Sequence, residues 1–289
     1  MPLAIPASSM QRGQGGNRSS SIIIEIGSRR ALDEVGELPE LLEIDREINR
    51  PYMTDPPLFN SQAWSRRLEI PWVIKEVGEP EGLSILDVGS GTSALPVFLG
   101  RRGARVVSVD PEVFHGLPGD MTVRAVAALP RLPFKDASFD IVCCISVLEH
   151  LPLDIGLHFA ELCRVARRKV IITFDVALSP LAVLGLSSVE LKALSRALGK
   201  RIVFPKEMLK PAEPERRICV IELGVCMMAV EKTGGAWPSV RLSEFERRLV
   251  RLHRKVQKWA GKARQNWLRI RNRFARGQTA KLSSALSPP

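Results

Sequence analysis

The chain has 289 residues, 45% of them hydrophobic and 25% charged, which excludes a disordered or low-complexity polymer and leaves material for one large domain with extensions. Its net charge of +11 is localised: residues 1–240 carry 28 basic and 29 acidic side chains, whereas 241–276 carry 13 basic and 2 acidic. Any attraction to an anionic partner therefore belongs to the C-terminal segment. Five cysteines, an odd number without C-x-x-C spacing, suggest neither a disulfide framework nor a zinc site. Met1–Met10 lacks a basic start followed by an apolar run, and Val170–Leu186 is broken by Asp175, Pro180 and Gly185. A cytoplasmic protein without a metal site is expected.

In chain order, residues 7–21 are rich in Ser, Gly, Gln and Arg and read as disordered. Ile22–Ile26 could form an edge strand, and residues 30–51 suggest short helical turns ended by Pro51. "DPPL" at 55–58 reads as a proline turn. From residue 83 strands and helices alternate: strand 83–89, helix 93–103, strand 104–110, strand 138–146, helix 154–168, strand 169–175, helix 187–199, then a final strand pair in 201–205 and 217–232. The pattern predicts an α/β fold: a doubly wound, mostly parallel sheet, Rossmann-like, with an antiparallel final strand and helices on both faces. The expected organisation is an N-terminal extension over 1–60, a cofactor domain over 61–235, and a basic amphipathic helix with a flexible tail over 236–289.

"ILDVGSGTSALPVFLG" (85–100) holds two patterns at once. From Gly89 it is G-x-G-x-x-A, a dinucleotide loop. From Asp87 it is D-x-G-x-G. Both use glycine so that the backbone can turn sharply and a ligand can approach. Both expect an acid ending the second strand to bind ribose, and Asp110 lies 21 residues after Gly89. Asp87 separates the two, because a carboxylate there suits the ammonium of a methionine moiety and repels a pyrophosphate.

"RLPFKDASFDIVCCISVLEHL" (131–151) resembles the fourth-strand region of class I S-adenosylmethionine-dependent methyltransferases, whose form is L-P-F-x-D-x-S-F-D-x-V followed by V-L-E-H. The resemblance covers about residues 80–232. It implies S-adenosylmethionine as cofactor, with Gly89 and Gly91 lining the methionine half, Asp87 steering the amino group, Asp110 accepting from both ribose hydroxyls, and Ser146 and Val147 facing the sulfonium. His150 and Glu149 are the nearest titratable pair and the candidate bases, needed only if the acceptor must lose a proton. Ser93 replaces a third glycine. Ala128 stands where an Asp often binds the adenine amino group. Mid-strand Cys143 and Cys144 read as core. Trp72, in "RRLEIPWV" (66–73), is either a cover over the site or part of a helix packed at the sheet edge.

Residues 243–277 form the basic segment. Ser243 and Glu246 have capping-box spacing, and Gly277 reads as the stop. Apolar residues at 245, 249, 252, 256, 259, 263, 267, 270 and 274 recur in steps of three or four, forming one stripe. An anionic membrane surface, nucleic acid and a packed protein partner are the three candidate occupants. The expected function is methyl transfer to a small-molecule acceptor, a sugar or lipid-linked intermediate at a membrane surface. RNA methylation guided by the basic helix and a noncatalytic adaptor are the alternatives.

Overall fold

The computed structural model describes residues 23–26, 39–49, 66–112, 122–151, 154–177, 185–198, 223–232 and 235–285. Seven strands form one sheet: β1 (Ile23–Ile26), β2 (Ser84–Val88), β3 (Arg105–Asp110), β4 (Val123–Val126), β5 (Phe139–Ile145), β6 (Ala166–Ala177) and β7 (Leu223–Glu231). Their order is β1-β7-β6-β5-β2-β3-β4. The β6-β5-β2-β3-β4 run is parallel; β7 pairs antiparallel with β6, and β1 antiparallel with β7. The mostly parallel sheet and antiparallel last strand are those expected. The edge strand also forms, so part of the 1–60 segment is built into the sheet. Residues 7–21, 55–58 and 201–205 lie outside the described residues.

Strand alternation divides the core into two layers. Leu86, Val88, Val142, Cys144, Ile172 and Phe174 face one side, where α4 (Ile155–Val165) and α5 (Ser188–Leu198) bury Phe159, Leu162, Leu191 and Leu194. Ile85, Val106, Ile141, Cys143 and Ile171 face the other, covered by α1 (Pro39–Asn49), α2 (Arg66–Val77) and α3 (Leu95–Arg101). Both adjacent cysteines are fully buried, and burial pushes the Cys143 thiol up, with the Asp87 carboxylate adding to it. Trp72 is buried beside Val73 and Phe98, so it is a core residue of α2.

The turn before β5 is fastened from α4. Arg164 donates to the carbonyls of Phe134 and Leu132 at 2.7 and 3.1 Å and pairs with Glu161 and Asp136. Glu161 in turn accepts the Leu132 amide at 2.6 Å. Two side chains, Arg164 and Glu161, thereby set the L-P-F segment against the helix.

The C-terminal helix, α6 (Glu244–Ala285), opens with the expected capping box: Glu246 accepts the Ser243 amide at 2.8 Å, and Ser243 Oγ accepts the Glu246 amide at 3.2 Å. It continues past Gly277 to Ala285, so the expected stop is corrected. Ala280, Lys281 and Leu282 beyond that glycine favour helix, and no αL cap interrupts them. Its docking is polar. Arg254 donates to the Glu149 carbonyl at 2.8 Å and pairs with Glu190 at 3.3 Å, while Gln257 donates to the Gly185 carbonyl at 2.8 Å. Arg247 pairs with Asp154 and Arg196 with Glu246. Glu190 is fully buried, so its charge depends on Arg254 and on the Ser187 amide and hydroxyl. Arg254→Met should lower unfolding free energy by about 2–4 kcal/mol, because it removes the counter-charge of a buried carboxylate and leaves the Glu149 carbonyl without its donor. Urea denaturation of the full chain checks this.

Candidate functional site

The direction of sheet growth reverses between β2 and β5, so the loops after these strands diverge and leave a crevice at their C-terminal ends. Residues 89–94 leave β2 there. Gly89 and Gly91 have φ of +74° and +49°, which side-chain-bearing residues resist. A Cβ on Gly89 would lie 2.3 Å from Val147 Cγ2, so the loop after β5 presses directly on the glycine turn. A Cβ on Gly91 would meet nothing within 4 Å, so that turn presents open backbone.

Asp110 ends β3 and ties two turns together. Its Oδ2 accepts the Gly91 amide at 2.9 Å and its Oδ1 accepts the Glu112 amide at 3.0 Å. Each carboxylate oxygen keeps a further acceptor direction. Asp110 borders a small cleft lined also by Ser90, Ser108, Glu112, Arg124, Ala125 and Val126. Val126 is an exposed apolar surface at the end of β4. Ala128 follows, exposed, and brings no side-chain acceptor.

Asp87 is buried near the end of β2, between Ser108 of β3 and Cys143 of β5. Around the ends of β5 and β6 stand three more acids. Glu69 of α2 is fully buried and accepts from the hydroxyls of Ser146, at 2.6 Å, and Thr173. Ser146 holds a left-handed backbone with φ of +50°, and its amide donates to the Thr173 carbonyl at 2.9 Å. Its hydroxyl is thus turned to Glu69, while Val147 reaches the glycine turn. Glu149 is buried in the short turn Leu148–His150, where its Oε1 accepts the Asp175 amide at 3.1 Å and its Oε2 has no partner among the described residues. Burial first, then the Asp175 carboxylate, push Glu149 up to about 8, with Glu69 adding to the rise. At neutral pH its carboxyl is protonated. His150, its neighbour, is exposed.

The expected residues Asp87, Gly89, Gly91, Asp110, Ser146 and Val147 therefore lie at the C-terminal ends of β2, β3 and β5 or in the loops just after them, and Glu149 and His150 follow Val147 in the chain. The pair is divided: an enclosed neutral acid and an exposed imidazole. Sequence reasoning missed the roles of Glu69, Thr173 and Asp175. Glu69 lies 77 residues from Ser146 and 104 from Thr173, and no local pattern links them. Among the described residues, no group of three or more His, Cys, Asp or Glu is placed to hold a metal ion.

Two variants probe this geometry. Gly89→Ala should lower unfolding free energy by about 2–4 kcal/mol, since the new Cβ both strikes Val147 and sits at an unfavourable φ; chemical denaturation measures it. Glu149 gives a signed pH effect. Between its ordinary value of 4.5 and about 8, the folded chain keeps a proton that the unfolded chain has released. Stability should fall as pH rises across that window and level off above it. Melting temperatures of Glu149→Gln should lack this decline.

Residues 86–174 match the family model of the methyltransferase domain. The Ubiquinone biosynthesis O-methyltransferase of Leptothrix cholodnii is 32% identical over 95 residues, 29% of this chain and 40% of that protein. A protein of the same name from Hahella chejuensis is 30% identical over 161 residues, 51% of this chain and 65% of that protein. The chain thus spans less than two thirds of the length of either relative. Magnesium protoporphyrin IX methyltransferase from Synechocystis, solved with bound SAH, overlays with a TM-score of 0.39 at 18% identity, covering 57% of this chain and 80% of that one.

Proposed function

We propose that the chain, whose residues 86–174 match the methyltransferase domain model, is a class I methyltransferase that transfers a methyl group from S-adenosylmethionine to a small-molecule acceptor. The observation that carries this reading is the joint placement of Asp110 and Asp87 around a glycine turn with open backbone at Gly91. Asp110 has acceptor capacity for a ribose diol. Asp87 stands where a methionine ammonium would need a counter-charge. A pyrophosphate placed along the same turn would face the Asp87 carboxylate, so a nicotinamide dinucleotide fits poorly.

Bound there, S-adenosylmethionine supplies an electrophilic methyl on a sulfonium. The chain's own part is to hold and to exclude. Gly89 and Gly91 let the backbone approach the methionine half. Val147 closes the turn from the β5 side. Ser146, locked by Glu69 and Thr173, fixes the loop that borders the methyl position. In-line displacement depends chiefly on such proximity and on a dry pocket. The protonated Glu149 keeps charge low beneath the loop, while exposed His150 is the group able to take a proton from an acceptor hydroxyl.

The relatives are named O-methyltransferases of ubiquinone biosynthesis, which supports an oxygen acceptor on a lipid-linked molecule, with a sugar hydroxyl as the other candidate. Purified chain incubated with methyl-labelled S-adenosylmethionine and a panel of hydroxylated lipids, sugars and RNA should label a small molecule, as read by mass spectrometry. Label confined to RNA, or cofactor binding with no labelled product from any member of the panel, would contradict the proposal. His150→Ala should lower kcat by about 10²-fold while the dissociation constant for the cofactor stays within about twofold. Steady-state kinetics paired with calorimetry separate the two.

A further inference from the structure

The docked orientation of α6 is the reverse of what its apolar stripe would favour in a self-contained protein. Val250, His253, Arg254 and Gln257 face the body, where Arg254 and Gln257 are held by hydrogen bonds and Val250 joins the apolar core. The stripe faces outward. Phe245 is 70% exposed, Leu252 59% and Trp259 65%, with Leu249 also exposed between them. These residues run along roughly 20 Å of helix at about 1.5 Å per residue. Burying them elsewhere would be favourable by several kcal/mol at ordinary apolar transfer values. An exposed apolar row of this length marks an interaction surface.

A second row defines the partner. Arg248, Arg251, Lys255, Lys258 and Lys262 are all exposed, and each stands one residue before a stripe position. At about 100° per residue, this places the basic row alongside the stripe on the side away from the docked face. Glu244, at the helix start, is the acid among them and pairs with Arg251 at 2.9 Å. The outward half of the helix is therefore apolar along one strip and cationic along the next, with an aromatic residue at each end of the described stripe.

We propose that this face of α6 seats the protein on an anionic lipid bilayer, with Phe245, Leu249, Leu252 and Trp259 entering the interface and the basic row meeting lipid phosphates. Charge complementarity selects this occupant. A second copy would bring one segment of 13 basic and 2 acidic residues against another. A nucleic acid would satisfy the basic row and leave the apolar strip in water. A bilayer interface takes both rows at once, and Trp suits the boundary between headgroup and acyl chain. The same helix grips the carbonyls of Glu149 and Gly185, so the docked face lies next to the site crevice. The proposal needs no turnover and stands apart from the methyl-transfer reading.

The test is sedimentation of the full chain with vesicles of phosphatidylcholine alone and with one quarter phosphatidylglycerol. Anionic vesicles should carry the protein down, raised salt should weaken this, and Leu252→Glu with Trp259→Glu should reduce partitioning by about tenfold or more. The replaced side chains are exposed, and an unchanged melting temperature confirms that the variant folds. In the unmodified chain, brominated lipid should quench tryptophan fluorescence, a readout that survives failure of the variant. Equal sedimentation of the variant, absence of quenching, an RNA mobility shift without vesicle binding, or a stripe-dependent dimer without vesicle binding would each overturn the proposal.

Discussion

Asp110 is the hinge on which the site turns. One carboxylate receives the Gly91 amide from the turn after β2 and the Glu112 amide from the turn after β3. Two loops with separate origins are thereby held in one register. Gly89 fixes the other wall, because only a residue without Cβ allows Val147 to come so close. The crevice width follows from these contacts, and they follow from the sheet order, which sends the β2 and β5 loops apart.

The electrostatics of the crevice explain the kind of ligand it would favour. Asp87, Glu69, Glu149 and Asp175 gather near the strand ends. Burial and the neighbouring Asp175 and Glu69 carboxylates push Glu149 up to about 8, so it keeps its proton at neutral pH. Glu69 is stabilised by two hydroxyls. Under the methyl-transfer reading proposed above, a buried acid at Asp87 would suit a ligand that carries an ammonium and a sulfonium better than one that carries phosphates.

Much of this was legible in the sequence, for physical reasons that can be named. The glycine turn shows because its backbone geometry restricts residue choice at 89 and 91. The buried central strands show because "SILDV" and "DIVCCI" cannot be solvated. β4 escaped notice because "VRAV" lies at the sheet edge, where Val123 and Val126 stay exposed and no buried run forms. β6 begins at Ala166, inside the stretch read as helix through 168, since element ends depend on tertiary pairing: Ala166 aligns with Phe139 of β5. The Glu69–Ser146–Thr173 cluster is built across three distant segments and has no sequence periodicity. The stripe of α6 was evident, but which face would dock was not. Periodicity reports an apolar side, whereas this helix docks through hydrogen bonds made by Arg254 and Gln257.

The two halves of the molecule join at the Leu148–His150 turn. From within, Glu149 accepts the Asp175 amide; from outside, Arg254 grips its carbonyl. Conditions at the surface helix are thus mechanically close to the site. The central claim remains the ligand held by the acid-flanked glycine turn. Isothermal titration of the purified chain with S-adenosylmethionine tests it most directly: saturable heat with a one-to-one endpoint is expected, lost on changing Asp110 to Ala while the variant stays folded. No heat from the folded parent chain, or an unchanged isotherm for that variant, would contradict the account.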